Sequence, residues 1–214
     1  LITGCSTGIG REAVNTFIKQ GHQVFATARQ QQDLDALKAI GAEAVFCELS
    51  DPESIKECIN TVISSSDGQL DVLINNAAFA PAAFPALLNS YDLIKKTYEL
   101  NVLGSFTLIN EVAKHMIKKK FGRIISFSSM SVELNQEGTS LYSSSKSALI
   151  QYSKILAKEI GKVNVTSNII GLSVYDSKSV EKLGNFIINK AREKLIFKKN
   201  LTKEEIIHAV NFFL

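Results

Sequence analysis

Cysteine is scarce in this 214-residue chain: there are three, Cys5, Cys47 and Cys58. An odd count without metal-ligand spacing excludes a disulfide framework and a zinc site. The three read as small buried hydrophobes in a reducing compartment, so no metal is expected and the cytoplasm is the expected location. The histidines are as few, and His22, His115 and His208 are too scattered to suggest a shared site. No apolar run approaches the ~20 residues of a membrane span, and no signal-peptide pattern is present. Net charge is only +3, too small to argue for nucleic acid, and Lys118-Lys119-Lys120 reads as a solvated helix end. Repeats, low-complexity tracts and linkers are absent. What remains, 45% hydrophobic and 21% charged residues, is the balance of a globular chain, and its length suits one domain with a substantial core.

Both ends read as cut, so flanking residues are expected. The sequence opens inside a strand-to-loop transition at Leu1-Ile2-Thr3-Gly4. It closes in an amphipathic helix begun by the capping box Thr202-x-x-Glu205. Between these ends, strands and helices alternate. Leu1 and Ile2 end a first strand, and further strands are expected at 23–28, 44–49, 70–74, 123–128 and 164–170. The helices between them carry apolar stripes such as Ala13, Val14, Phe17 and Ile18, or Ile55, Ile59, Val62 and Ile63. A long helical region is expected from about 90 to 120, another from 141 to 160, and two more at about 180–195 and 202–214. This alternation predicts an α/β doubly wound parallel sheet, a Rossmann fold, with helices on both faces. Residues 172–179 read as a polar candidate lid.

Chemistry concentrates at Tyr142-Ser-Ser-Ser-Lys146. Residues four apart on a helix share a face, so the phenol and the ammonium can converge. A nearby cation favours the phenolate and lowers the phenol's pKa, which suits it to acid–base work. The stretch Gly4-Cys-Ser-Thr-Gly8-Ile9-Gly10 opens the first helix. Glycines there permit a tight turn, close backbone approach to a ligand and close helix–strand packing, and a helix N-terminus favours an anion. Ser128-Ser129-Met130-Ser131 falls at the carboxyl end of a strand, where doubly wound sheets place ligands.

Thr3-Gly4-x-x-x-Gly8-Ile9-Gly10, Asn75-Asn76-Ala77, Asn101, Ser129 and Tyr142-x-x-x-Lys146, in this order, resemble the motifs of the short-chain dehydrogenase/reductase family over essentially the whole chain. The resemblance implies an oxidoreductase moving a hydride between a nicotinamide cofactor and a small-molecule carbonyl or alcohol. It implies Tyr142 as acid/base and Lys146 as the residue that binds the nicotinamide ribose and lowers the tyrosine pKa. Ser129, thirteen residues before Tyr142, would hydrogen-bond the reacting oxygen, and Asn101 would hold a proton-relay water through a backbone distortion. Cofactor contacts would come from Gly4, Ser6, Thr7, Gly8, Ile9, Gly10, Arg29, Glu48, Leu49, Asn76, Ala77, Tyr142, Lys146, Gly171 and Ser173. Arg29, at the end of the second strand, suits a 2′-phosphate, so NADP(H) is favoured over NAD(H), although Thr7 stands where many NADP(H) users carry a second basic residue. Departures from the family pattern are Glu48 for Asp, Ala78 for Gly, Ile170 for Pro, and Tyr175 for Thr, with Ser173 as its substitute. A homodimer or homotetramer is implied, through helices around 99–116 and 141–158. The loop 79–87 and the segment 172–190, apolar with few charges, would line an apolar or acyl substrate. The competing readings are a cofactor-binding regulator with an idle site, and a sugar epimerase or dehydratase of the family's extended relatives. Those relatives are longer, with a different glycine spacing.

Overall fold

The computed structural model describes residues 1–175, 189, 192–195 and 199–214. Among the described residues five strands are formed: β1 (Phe25–Ala28), β2 (Glu43–Phe46), β3 (Val72–Asn75), β4 (Gly122–Ser129) and β5 (Val165–Leu172). The opening residues complete the sheet. Ile2 bridges in parallel to Ala26 of β1 and to Ile74 of β3, with Ile2 N donating to Phe25 O at 2.8 Å and Thr3 N to Ile74 O at 3.1 Å. The resulting order is β2, β1, the opening segment, β3, β4, β5, and every described pairing is parallel. The chain reverses its direction of travel across the sheet between the opening segment and β3. That switch point is where a doubly wound sheet opens a crevice at the carboxyl ends of its strands.

Helices cover both faces, as the alternation predicts. One face packs against α3 (Pro52–Ser65), α5 (Ser105–Lys119) and α7 (Ser140–Ile160), through side chains such as Ile55, Ile59, Ile109, Val112 and Leu149. The other packs against α1 (Gly8–Lys19), α2 (Gln31–Lys38) and α8 (Lys203–Asn211), through Val14, Phe17, Leu37, Ile206 and Ile207. Local signals set the ends. Asp51 accepts from Glu53 N at 3.0 Å, with Pro52 at the first position of α3. Thr202 and Glu205 close a reciprocal capping box on α8.

Three features were not legible in the apolar pattern. The helical region expected over 90–120 is interrupted: α4 (Tyr91–Tyr98) passes into a π-helical stretch, Glu99–Gly104, before α5 begins. A 3-10 turn, Ala86–Leu88, lies in the loop before α4, and a four-residue helix, α6 (Ser131–Leu134), follows β4. The helix expected at 180–195 falls largely outside the described residues, as does the second half of the candidate lid.

Candidate active site

A cavity of about 530 Å³ opens at the carboxyl ends of the strands, in the size range of small-molecule and cofactor sites. Of the residues singled out above, it brings together Gly4, Ser6, Thr7, Ile9, Arg29, Glu48, Leu49, Asn76, Ala77, Ser129, Tyr142, Lys146 and Ser173. Gly8, Gly10, Gly171 and Asn101 do not line it.

The glycine loop explains two of those four. A Cβ on Gly10 would lie 2.5 Å from Gly4 O and 2.6 Å from the Asn76 side chain. Gly10 therefore lets the first turn of α1 press against the loop and β3 rather than touching a ligand. Gly4 has φ +68°, and a Cβ there would lie 2.8 Å from Ala77 Cα, so the backbone passes too close to the end of β3 for a side chain. Gly8 has φ +66° with open space around its Cβ position, so its requirement is conformational. The first turn of α1 has no acidic residue, and Thr7 makes no side-chain cap bond. This leaves the helix N-terminus suited to a phosphate. Gly171 pairs with Ser128 on the β4–β5 ladder.

Thr3 opens the glycine motif, but the motif gave it no role of its own. Its Oγ1 accepts from Asn76 N at 3.1 Å and from Ala77 N at 3.0 Å. Asn76 Nδ2 donates to Thr3 O at 2.8 Å and to Gly4 O at 3.1 Å. The glycine loop and the Asn-Asn-Ala turn are thereby stitched into one wall, at a sequence separation that no local pattern reveals.

Asn101 sits in the π-helical stretch and is buried, so the backbone distortion at this position is real. Its Oδ1 accepts from Phe79 N at 2.7 Å, and its Nδ2 donates to Phe79 O at 2.8 Å and Ser145 Oγ at 3.0 Å. Ser145 Oγ in turn donates to Tyr142 O at 2.8 Å. The side chain thus clamps the loop after β3 to the turn of α7 that carries Tyr142. Phe79 and Ala80 line the cavity, whereas Phe84 and Leu87 are exposed and do not line it, so only the start of the 79–87 loop reaches the site. Of the segment 172–190, Leu172, Ser173, Val174 and Tyr175 line the cavity; residues 176–188 and 190 lie outside the described residues. From outside both segments, Lys96 of α4 also lines the cavity, with its ammonium 4.8 Å from the Phe79 ring centroid.

Tyr142 and Lys146 share one face of α7, but the lysine does not activate the phenol in this state. Lys146 Nζ donates to Phe127 O at 2.8 Å and lies 5.8 Å from the Tyr142 ring centroid. Burial lowers the lysine to about 8. Burial, and then the neighbouring Tyr175, push the Tyr142 phenol above its ordinary value. This direction is opposite to the expected lowering, because partial loss of hydration outweighs the nearby charge: Lys146 is buried, and Tyr142 is half-buried at the cavity wall. Ser128, Ser129 and Ser131 all border the cavity, with different surroundings. The hydroxyls of Ser128 and Ser131 are buried without a partner among the described residues. Ser129 is half-buried, and its Oγ accepts from Ser131 N at 3.2 Å, which leaves its proton free to donate.

The buried amine makes a stability prediction. Its folded pKa of about 8 lies below the ordinary 10.5. Below pH 8 both folded and unfolded chains carry the proton, and burying it costs stability. From about 8 to 10.5 only the unfolded chain stays protonated, so stability rises with pH. Relative to Lys146→Met, the wild type should gain about 3 kcal/mol across that window, measured by denaturant unfolding at a series of pH values. A flat difference would mean the amine is not enclosed.

A family model described as short chain dehydrogenase matches residues 1–186. The short-chain dehydrogenase cctT of Talaromyces islandicus is 38% identical over 167 residues, covering 77% of this chain; the chain spans 58% of that relative's length. The 3-oxoacyl-[acyl-carrier-protein] reductase FabG of Buchnera aphidicola subsp. Acyrthosiphon pisum is 32% identical over 217 residues, 99% of this chain and 87% of the relative. Among solved structures, a 3-ketoacyl-(acyl-carrier-protein) reductase from Brucella melitensis complexed with NADH superposes with a TM-score of 0.91. The identity is 19%, and the match covers 99% of this chain and 88% of that one.

Proposed function

Since the chain belongs to the short-chain dehydrogenase/reductase family, we propose that it transfers a hydride between a nicotinamide dinucleotide and a small carbonyl or alcohol, with Tyr142 as general acid/base. One observation carries this reading. A single cavity is lined by the glycine loop, by Arg29 and Glu48 at the strand ends, and by Ser129, Tyr142 and Lys146. The residues fit such a cofactor: Gly4 is cleared of side chain where the wall is tightest, and an uncapped helix N-terminus faces the same loop.

The dinucleotide, when bound, supplies or accepts the hydride. The chain's own groups handle the proton and the developing charge. Tyr142 holds its proton firmly at neutral pH, the state required of a donor to a carbonyl oxygen; in the reverse direction its phenolate accepts a proton from an alcohol. Lys146 would hold the nicotinamide ribose, and its charge would steady the phenolate. Ser129 receives an N–H from Ser131 and directs its own proton at the reacting oxygen, where charge appears in the transition state. Asn101 keeps α7 and the loop after β3 in register for these contacts.

NADP(H) is favoured over NAD(H) because Arg29 lines the cavity at the end of β1. The Brucella neighbour was solved with NADH, so the preference rests on this chain's own guanidinium. The Buchnera relative's name points to 3-oxoacyl thioesters as the first substrates to try. Assembly into a homodimer or homotetramer through α5 and α7 belongs to the same reading, with Leu103, Ile117 and Ile155 exposed along those helices or just before them. No helix among the described residues is long and apolar enough to cross a membrane, and the three cysteines are free and buried, which fits a cytoplasmic enzyme.

The test is a panel of ketones, 3-oxoacyl thioesters and alcohols with both dinucleotides, followed in the absorbance band of the reduced nicotinamide. Turnover of at least one carbonyl/alcohol pair is expected. Tight cofactor binding with no turnover across the panel would contradict the catalytic reading and leave an idle binding protein.

A further inference from the structure

We propose that Glu48 is a specificity-determining residue: it competes with the cofactor for the Arg29 guanidinium and holds down the chain's discrimination between phosphorylated and unphosphorylated dinucleotides. This rests on the reading of Arg29 as the contact for a 2′-phosphate. β1 and β2 run in parallel with Ala28 opposite Phe46, so residues just beyond the two strand ends meet at one edge of the cavity. There Arg29 Nη1 donates to Glu48 Oε2 at 3.3 Å.

The two partners are not equally held. Glu48 Oε1 accepts from Ser50 N at 3.2 Å, and Glu48 N donates to Ser54 Oγ at 3.0 Å. The Glu48 side chain is 28% exposed against 61% for Arg29. The carboxylate is therefore the anchored member and the guanidinium the one that can turn. Burial tends to raise the Glu48 pKa, but the Ser50 and Arg29 hydrogen bonds outweigh it and hold the carboxyl below its ordinary value, so it remains an anion.

The consequence differs between the two ligands. A phosphate arriving at Arg29 must share the guanidinium with a fixed carboxylate that already holds one of its N–H groups. A ribose hydroxyl in the same place is neutral and makes little demand on the guanidinium, so the same competition costs it less. Among the described residues, no other cation on the cavity wall relieves the conflict. Lys96 sits over Phe79, and Lys146 is bonded to Phe127 O, both on helices away from the β1–β2 edge.

Fluorescence titration of NADPH and NADH into wild type, Glu48→Gln, Glu48→Ala, Arg29→Gln and the Arg29→Gln/Glu48→Gln double variant tests this without any substrate. Thermal unfolding checks that each variant is folded. Both Glu48 variants should raise the ratio of Kd for NADH to Kd for NADPH by about tenfold. In the Arg29→Gln background the same change should move the ratio by less than about threefold, because the competition runs through the guanidinium. A ratio unchanged or lowered by the Glu48 variants, or an undiminished shift without Arg29, overturns the proposal. The prior reading fails separately: if Arg29→Gln leaves NADPH binding unaltered, Arg29 is not the phosphate contact, and both ideas fall. If Arg29→Gln weakens NADPH binding while the Glu48 variants leave the ratio alone, only the role of Glu48 falls.

Discussion

Tyr142→Phe should lower kcat by roughly 10²–10⁴-fold, the usual contribution of a positioned acid or base. Cofactor Kd should change by no more than about tenfold, because a phenol oxygen can give the dinucleotide at most one ordinary hydrogen bond. The substitution removes one oxygen from a ring enclosed on α7. Its backbone carbonyl is held by Ser145, and Ser145 by Asn101, so the helix should stay in place. The prediction is sharpened by the electrostatics. Burial and the Tyr175 phenol keep the Tyr142 proton on at neutral pH, so the loss should appear in carbonyl reduction near pH 7 rather than only under alkaline conditions. Steady-state kinetics with any substrate from the panel, beside cofactor titration, separates the two effects. Full activity in Tyr142→Phe would remove the proton donor from the account.

Gly104→Ala should destabilise the fold by about 3 kcal/mol or more, lowering the unfolding temperature by roughly 6–12 °C for a chain of this size. A Cβ at this position would lie 2.2 Å from Leu49 O and 2.9 Å from Leu49 C and Cβ. The obstacle is backbone at the β2 side of the cavity, not a flexible side-chain end, so it cannot swing aside. Gly104 ends the π-helical stretch that carries Asn101, and Leu49 lines the cavity. Any relaxation must therefore shift Asn101 or the cofactor wall, and weaker dinucleotide binding should accompany the lost stability. Gly161→Ala is the internal comparison: nothing lies within 4 Å of its Cβ position and its φ is ordinary, so its effect should stay within about 0.5 kcal/mol. Equal unfolding temperatures for the two variants would contradict the close approach.

The difference between these two residues shows what could be read before the fold was known. Tyr142 and Lys146 announce themselves because their relation is local: four residues on one helix fix a shared face whatever else the chain does. The parallel sheet was legible for a similar reason, since alternating strand and helix patterns leave few ways to cover both faces. Gly104, Thr3 and Lys96 were silent. Their roles depend on which distant segment arrives beside them: Leu49 against Gly104, Asn76 and Ala77 against Thr3, and Phe79 against Lys96. Arg29 and Glu48 were each noticed, but as separate cofactor contacts. Only the register of β1 on β2 shows them to be partners. The distortion at Asn101 came only from the family resemblance, because a single extra residue in a turn hardly disturbs an apolar stripe. The upward pull on the tyrosine pKa was not legible, because spacing shows that a lysine is near but not how much hydration each group keeps.

A crystal structure with oxidised nicotinamide dinucleotide bound tests the central claim most directly. The account predicts the pyridine ring in the cavity beside Tyr142, Ser129 and Lys146. A carbonyl carbon could then sit about 3–3.5 Å from the ring while its oxygen stays within hydrogen-bond reach of the Tyr142 and Ser129 hydroxyls. A dinucleotide bound with its nicotinamide turned away from Tyr142, or bound outside this cavity, would contradict it.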